Sequence, residues 1–106
     1  MENIAKGSYE EISIKAGFCL LKIRNNTEAF SRIERAVDSA FLQFHFCLKG
    51  GGVFEFNTGN YQLEVVAENA LLLYNTQKDL PLQLTVGPNT EVLSLLIPLR
   101  KFHALF

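Results

Sequence analysis

The chain of 106 residues is long enough for one compact domain and leaves little room for two. Its composition, with 48% hydrophobic and 20% charged residues, is that of a globular protein and excludes a disordered chain. A net charge of −1 gives the chain no overall basic surface for DNA or RNA. The two cysteines have no C-x-x-C spacing, which favours buried, reduced thiols. Because the sequence has neither a signal peptide nor a run of membrane-spanning length, we expect a cytoplasmic protein.

Alternating and apolar runs between turn residues predict about eight strands. Residues 1–10 are polar and predict a loose N-terminal segment. Residues 27–39 fit a helix capped by Thr27 but also alternate as a strand does, and the strands on both sides favour the extended form. The eight strands are expected over residues 11–15, 18–23, 41–48, 53–56, 61–66, 71–74, 82–86 and 92–99. Many short strands at regular spacing predict an all-β sandwich or barrel.

The strongest strand signal is the segment FLQFHFCL, residues 41–48. Its two-residue period separates a wholly apolar row from a row that also contains polar groups. A strand that is apolar on both faces is usually covered on both faces. We therefore expect Gln43, His45 and Cys47 to point to one side, into the barrel. His45 is interpreted either as a core residue hydrogen-bonded to a neighbour or as part of a pocket, and both readings stay open.

A run of three glycines, Gly50 to Gly52, predicts a turn after this strand. The glycines do not form a phosphate-binding loop, because no G-K-[ST] follows them. At the other end of the chain, the tail RKFHALF places Phe102, Leu105 and Phe106 at helical spacing. We interpret residues 100–106 as the first turn of a helix that continues beyond them.

The order and spacing of the glycine turns resemble those of the cupin barrels. Leu48, Gly50 and Gly52 follow the pattern L-x-G-x-G, Gly59 lies in the next hairpin turn, and Asn69 lies near the place of the cupin Gly-Asp turn. Together with the closing LLYNTQKDLPLQL and LIPLRKFHALF, the chain is similar to the N-terminal sensing and dimerisation domain of AraC-type transcription regulators. The resemblance covers roughly residues 40 to 106.

This resemblance implies a cupin-like double-stranded β-helix, or jelly-roll barrel, over residues 11–99. Residues 100–106 would then lead to a C-terminal DNA-binding domain that the sequence lacks. The implied partners are a small-molecule effector in the barrel and a second copy of the chain, with DNA contacted only through the missing domain and no membrane partner. The candidate ligand-binding residues are Gln43, His45, Cys47 and Tyr74. The candidate dimer-interface residues are Phe44, Phe46, Phe102, Leu105 and Phe106.

The same resemblance provides a test for metal binding. Metal-binding cupins use an H-x-H pair, a Glu and a later His, and the corresponding places here fall near residues 37–39, at Gln43 and near residues 80–82. Because none of these places holds a His or Glu, we expect no metal and no other cofactor.

Signals of catalysis are also weak. The sequence has no G-x-S-x-G nucleophile motif, and no acid–base pair is evident for a pocket. We therefore expect that the chain is not an enzyme. The alternatives are a stand-alone small cupin enzyme of sugar-isomerase type, with His45 as its general base, and a purely structural dimer module.

Overall fold

The computed structural model describes residues 4–56, 61–74 and 78–101, which form two five-stranded sheets packed face to face. The described strands are β1 (Ala5–Lys6), β2 (Tyr9–Ser13), β3 (Cys19–Asn25), β4 (Ser31–Arg35), β5 (Phe41–Lys49), β6 (Gly51–Phe56), β7 (Tyr61–Val66), β8 (Ala70–Leu73), β9 (Leu82–Val86) and β10 (Thr90–Pro98). A short 3-10 turn over Lys15–Gly17 joins β2 to β3. The predicted all-β jelly roll is confirmed.

Each sheet mixes strands from both halves of the chain. Sheet A has the order β1-β4-β9-β6-β7, and sheet B has the order β2-β3-β10-β5-β8. The described pairings are antiparallel, except that β1 runs parallel to β4. β7 and β8 are therefore the outermost strands of opposite sheets, and β5 and β10 are neighbours in the interior of sheet B.

The structure differs from the expected boundaries at the N-terminus and at the glycine run. Within the segment expected to be loose, β1 pairs with β4 and β2 already begins at Tyr9, while residues 1–3 lie outside the described part. The return strand β6 begins at Gly51, so the turn itself is at Gly50, whose φ of +76° favours glycine. Gly52 is constrained by space, because a Cβ there would lie 2.6 Å from the Thr85 carbonyl oxygen.

The ambiguous segment over residues 27–39 contains the strand β4, in agreement with the extended interpretation. Residues 99–101 are helical, and the rest of the predicted C-terminal helix lies outside the described residues. In the described part of the chain, no helix has the length and apolar character needed to cross a membrane.

The core fills the space between the inner faces of the two sheets. Sheet B contributes alternate residues of β3 and β10, and sheet A contributes alternate residues of β6 and β9, as the two-residue period of a strand requires. Its buried hydrophobic members are Cys19, Leu21, Ile23, Ile33, Val37, Cys47, Phe54, Val65, Leu82, Leu84, Val86, Val92 and Leu96.

One buried amide connects the end of β3 to two loops. Asn25, which is 5% exposed, donates from Nδ2 to the carbonyl oxygens of Ala29 at 2.8 Å and Gly87 at 2.9 Å. Its Oδ1 accepts hydrogen bonds from the backbone N–H of Thr27 at 3.0 Å and from the Thr27 hydroxyl at 2.7 Å. The side chain therefore supplies hydrogen-bond partners to polar groups of two loops, the one that follows β3 and the one that follows β9.

We predict that Asn25→Ala lowers the free energy of unfolding by about 1–3 kcal/mol, because the substitution leaves buried loop groups without partners. Urea unfolding followed by circular dichroism measures the loss. The matched control is Asn26→Ala, at an exposed neighbouring position, for which we expect a change below about 0.5 kcal/mol. Equal losses in the two variants would contradict this account of Asn25.

Candidate functional site

The candidate site lies on β5, whose side chains alternate between the interior and the surface. Gln43, His45 and Cys47 are buried between the sheets, at 1%, 0% and 0% exposure. The intervening residues lie on the outer face of sheet B, where Phe44 is 39% exposed and Leu48 is 44% exposed. The structure thus places the three predicted residues on one inner face, and it leaves the apolar outer row partly open to solvent.

A chain of hydrogen bonds crosses this inner face. The Oγ–H of Ser94 donates to Nδ1 of His45 over 2.6 Å, and Nε2–H of His45 donates to Oε1 of Gln43 over 2.9 Å. The Gln43 Nε2 then donates to the carbonyl oxygen of Leu80 over 2.6 Å. Because an amide oxygen only accepts, the bond to Gln43 assigns the proton of the neutral imidazole to Nε2. We call this set of groups the Ser94–His45–Gln43 chain.

The imidazole of His45 is neutral because of its surroundings. Burial disfavours the charged form and lowers the pKa of His45 from 6.5 to about 4. The ring packs against Phe54, with the two ring centroids 4.5 Å apart and an interplanar angle of 40°. Both ring nitrogens are engaged, and the residue is fully buried, so no face of the imidazole is open to a ligand in this conformation.

The other candidate ligand-binding residues lie apart from this chain. The Cys47 thiol donates to the carbonyl oxygen of Lys49 at 3.4 Å, and burial raises its pKa above the usual range. Tyr74 follows the end of β8 and is 57% exposed, so the structure does not bring it together with the three buried residues. Ligand binding by these four residues stays a prediction.

The described residues do not fit a cupin metal centre. Among residues 4–56, 61–74 and 78–101, no group of three or more His, Cys, Asp or Glu side chains is placed to hold a metal ion. Both nitrogens of His45 already have partners, and its neighbour Gln43 offers only an amide. The expected absence of metal stays a prediction.

Sequence reasoning missed two members of the buried cluster. Ser94 completes the hydrogen-bond chain from β10, and Phe54 packs on the imidazole from β6. A signal for Ser94 exists in the sequence, because it is a single polar residue in the apolar run VLSLLIP. Nothing in the sequence identifies Phe54 as the ring that packs against His45, since that contact joins opposite sheets.

The outer face of sheet B carries an unbroken apolar row. The register aligns Ile12 with Leu20, Leu20 with Leu95, Leu95 with Phe44, and Phe44 with Leu72, so the row crosses all five strands. Two further hydrophobic residues, Leu93 and Phe46, pair beside it. The term "apolar face" is used below for Ile12, Leu20, Phe44, Phe46, Leu72, Leu93 and Leu95.

The outer face of sheet A has the opposite character. Arg32 forms ion pairs with Glu55 and Glu34 and donates to the Thr85 hydroxyl at 3.1 Å. Gln83 lies on the same face. The two sheets therefore present a polar surface on one side of the molecule and an apolar surface on the other. Of the candidate dimer residues, Phe44 and Phe46 lie on the apolar face, and Phe102, Leu105 and Phe106 lie outside the described residues.

Comparison with solved structures identifies the fold. An RmlC-like cupin protein from Desulfovibrio desulfuricans has a TM-score of 0.64 and 16% identity, and the match covers 88% of this chain and 83% of that one. Two enzymes also match. A sugar phosphate isomerase of the cupin superfamily from Silicibacter pomeroyi has a TM-score of 0.58, 12% identity and coverage of 88% and 69%. Ectoine synthase from P. lautus has a TM-score of 0.55, 14% identity and coverage of 92% and 67%.

No model of a known protein family matches the chain, and no curated protein does. The structural likeness, at these low identities, shows the fold alone, and the chain has the cupin fold. The expectation that the chain is not an enzyme is wrong. Enzymes are among its structural neighbours, so this fold is compatible with catalysis. The comparisons give no support for the AraC-type context specifically.

We predict that His45 makes stability depend on pH in mildly acidic solution. In the unfolded chain its pKa is near 6.5, whereas in the folded protein it is about 4, so the unfolded chain binds an extra proton between these values. The contribution of His45 is fully present above about pH 6.5 and is lost as the pH falls toward 4, for a total of about 3 kcal/mol. Urea unfolding across this pH range measures the slope.

The control is His45→Gln, whose side chain does not titrate. The pKa of Glu11 is lowered, chiefly by its hydrogen bond to Arg35, so acid also weakens the variant through this carboxylate. The difference between the two proteins therefore isolates His45. Parallel pH profiles in the parent protein and the variant would show that His45 is not a buried neutral group.

Proposed function

We propose that this chain is the sensing and dimerisation domain of an AraC-type transcription regulator that acts in the cytoplasm. In this proposal, two copies pair through the apolar face, a small molecule binds to the barrel, and DNA is contacted only through a separate C-terminal domain. The observation that carries the proposal is the unbroken apolar row across sheet B, opposite a polar outer face on sheet A.

A second copy of the chain is the partner that this face fits best. Contiguous apolar surface on a folded domain usually marks an interface, and closed twofold pairing is the commonest arrangement of soluble oligomers. The face is bordered at one end by Glu91, which pairs with Arg24 at 3.3 Å and with Lys49 at 3.9 Å. An apolar centre with a charged rim is the usual anatomy of a protein interface.

The hydrogen bonds in the interior, which connect the two sheets through the segment before β9, support a sensing role for the barrel, and not only a structural one. The Ser94–His45–Gln43 chain runs from the middle of sheet B to the backbone at Leu80, in the segment that precedes sheet A's β9. A ligand that prefers one arrangement of the two sheets can therefore change the position of sheet B, which carries the apolar face. Such coupling requires different affinities for two states of the dimer.

The regulator context rests on the sequence resemblance, and the coding sequence tests it directly. We expect the reading frame that follows codon 106 to encode a helix-turn-helix domain. A stop codon at that point would contradict the regulator proposal and favour a stand-alone barrel. The test does not depend on whether the barrel binds a ligand, so it separates the regulator context from the sensing role.

We predict that Phe44→Glu disrupts a homodimer of this chain. Burying a carboxylate in an apolar interface without a partner costs several kcal/mol, so we expect the dimer dissociation constant to rise at least about 100-fold, equivalent to about 3 kcal/mol. Sedimentation equilibrium at micromolar concentration measures the change. The parent protein should sediment at twice the chain mass of 11.9 kDa and the variant at the chain mass itself.

The matched control is Val66→Glu, which places the same charge on sheet A. Val66 is 49% exposed at the edge strand β7, far from the apolar face in the order of the sheets. This variant should remain a dimer. A monomeric parent protein, or equal weakening by the two substitutions, would rule out the apolar face as the dimer contact.

A further inference from the structure

A small cavity opens between the edge strands of the two sheets. Its volume is about 290 Å³, just below the range of about 300–1,000 Å³ that is usual for ligand pockets. β7 lines it from sheet A and β8 lines it from sheet B, with β6 and the segment before β9 at the sides. The described residues that line it are Phe56, Tyr61, Gln62, Leu63, Leu73 and Leu80, and none of these six carries a charge. This space is called the mouth cavity below.

The walls of the mouth cavity are anchored by the buried core. Leu73 is the register partner of Gln43 on β5, and the Gln43 amide holds the Leu80 backbone by its 2.6 Å hydrogen bond. Phe56 stacks with Phe54 at a centroid distance of 6.4 Å and an interplanar angle of 12°. The cavity is therefore attached to the Ser94–His45–Gln43 chain through its walls, although the members of that chain are not exposed in it.

The entrance leaves apolar surface in contact with water. Tyr61 is 66% exposed and Leu63 is 40% exposed, both on the outermost strand of sheet A. A ligand covering these side chains would gain about 25 cal/mol for each Å² of apolar surface removed from water. The phenol and amide groups of Tyr61 and Gln62 can each form hydrogen bonds at the rim.

The chemistry of the lining selects the charge and shape of the ligand. A charged ligand would lose its hydration without meeting an opposite charge among the six described lining residues, which is strongly unfavourable. Phe56 and Tyr61 supply ring surfaces, and aromatic pairs are stabilised beyond the effect of area alone. An uncharged, compact aromatic molecule satisfies both conditions.

We propose that the mouth cavity, and not the sealed barrel interior around His45, binds the effector, and that the effector is a small uncharged aromatic molecule. This inference rests on the proposed sensing function and specifies its site and ligand class. The interior residues Gln43 and His45 act behind the wall, where they hold the Leu80 backbone in place and make no contact with the ligand.

Two residues of the edge strands allow a matched test. Leu73 lines the mouth cavity, whereas Val66 of β7 is 49% exposed, does not line the cavity and lies outside the apolar face. Leu73→Gln therefore changes the cavity, and Val66→Gln places the same amide on the surface, away from both the cavity and the apolar face. Circular dichroism and thermal unfolding confirm that each variant is folded before binding is measured.

The probe is N-phenylnaphthylamine, a neutral aromatic fluorophore, titrated into the parent protein and both variants. We expect saturable binding of one probe per chain, at least about tenfold weaker binding to Leu73→Gln, and binding to Val66→Gln within about twofold of the parent. Anilinonaphthalene sulfonate has a similar ring system with a negative charge, and we expect it to bind at least about tenfold more weakly. If Leu73→Gln does not fold, Leu63→Gln replaces it at a half-exposed position.

Two results would overturn the inference. The first is the absence of saturable binding, or binding that Leu73→Gln leaves intact, which would place the probe outside the mouth cavity. The second is equal affinity for the neutral and the anionic probe, which would contradict the proposal that the cavity selects an uncharged ligand. Sedimentation of the same samples tests dimerisation independently, so a dimer that binds no probe overturns this inference and leaves the proposed pairing intact.

Discussion

The two-residue period of β5 is the constraint from which the other features of this molecule follow. The strand lies in the interior of sheet B, with β10 on one side and β8 on the other, so its side chains have only two directions available. One row faces sheet A and contains Gln43 and His45, and the other row faces outward and contains Phe44 and Phe46. A shift of register by one residue would exchange the two rows and would expose the polar groups.

The inner row is stable because its polar groups satisfy one another. In the low dielectric of the interior, an unpaired amide or imidazole would cost about twice what a satisfied one contributes. Among the described residues, every buried side-chain nitrogen or oxygen has a hydrogen-bond partner. The Ser94–His45–Gln43 chain therefore joins β10, β5 and the backbone before β9 into one unit, and it leaves the imidazole neutral.

The outer surfaces of the two sheets differ in character, and this difference is specific to the chain and not to its fold. The cupin fold includes enzymes such as ectoine synthase and a sugar phosphate isomerase, so the architecture by itself does not select a function. The selective features are local. The ion pairs of Arg32 make the outer face of sheet A polar, whereas the row from Ile12 to Leu72 makes the outer face of sheet B apolar. The mouth cavity adds a third surface, uncharged and apolar, at the edges of both sheets.

The sequence by itself determined most of the strands, most turns and the two rows of β5, because these depend on period and on residue type. It also indicated the cupin turn order through Gly50 and Gly52, since glycine is favoured where φ is positive, as at Gly50, or where another backbone comes close, as at Gly52. Only the tertiary structure decided which residues form hydrogen bonds with His45 and Gln43. Ser94 lies 49 positions from His45, and Leu80 lies 37 positions from Gln43, so these contacts depend on how the strands are ordered and paired. β1 was missed because a two-residue strand is defined by its pairing with β4 and not by its own pattern. The period of β5 likewise predicted that Gln43, His45 and Cys47 share the inner face, as the structure shows. The expectation that both faces of β5 are covered is wrong for the outer row, where Phe44 and Leu48 are partly exposed, because burial depends on what packs against a strand and alternation records only which residues share a side.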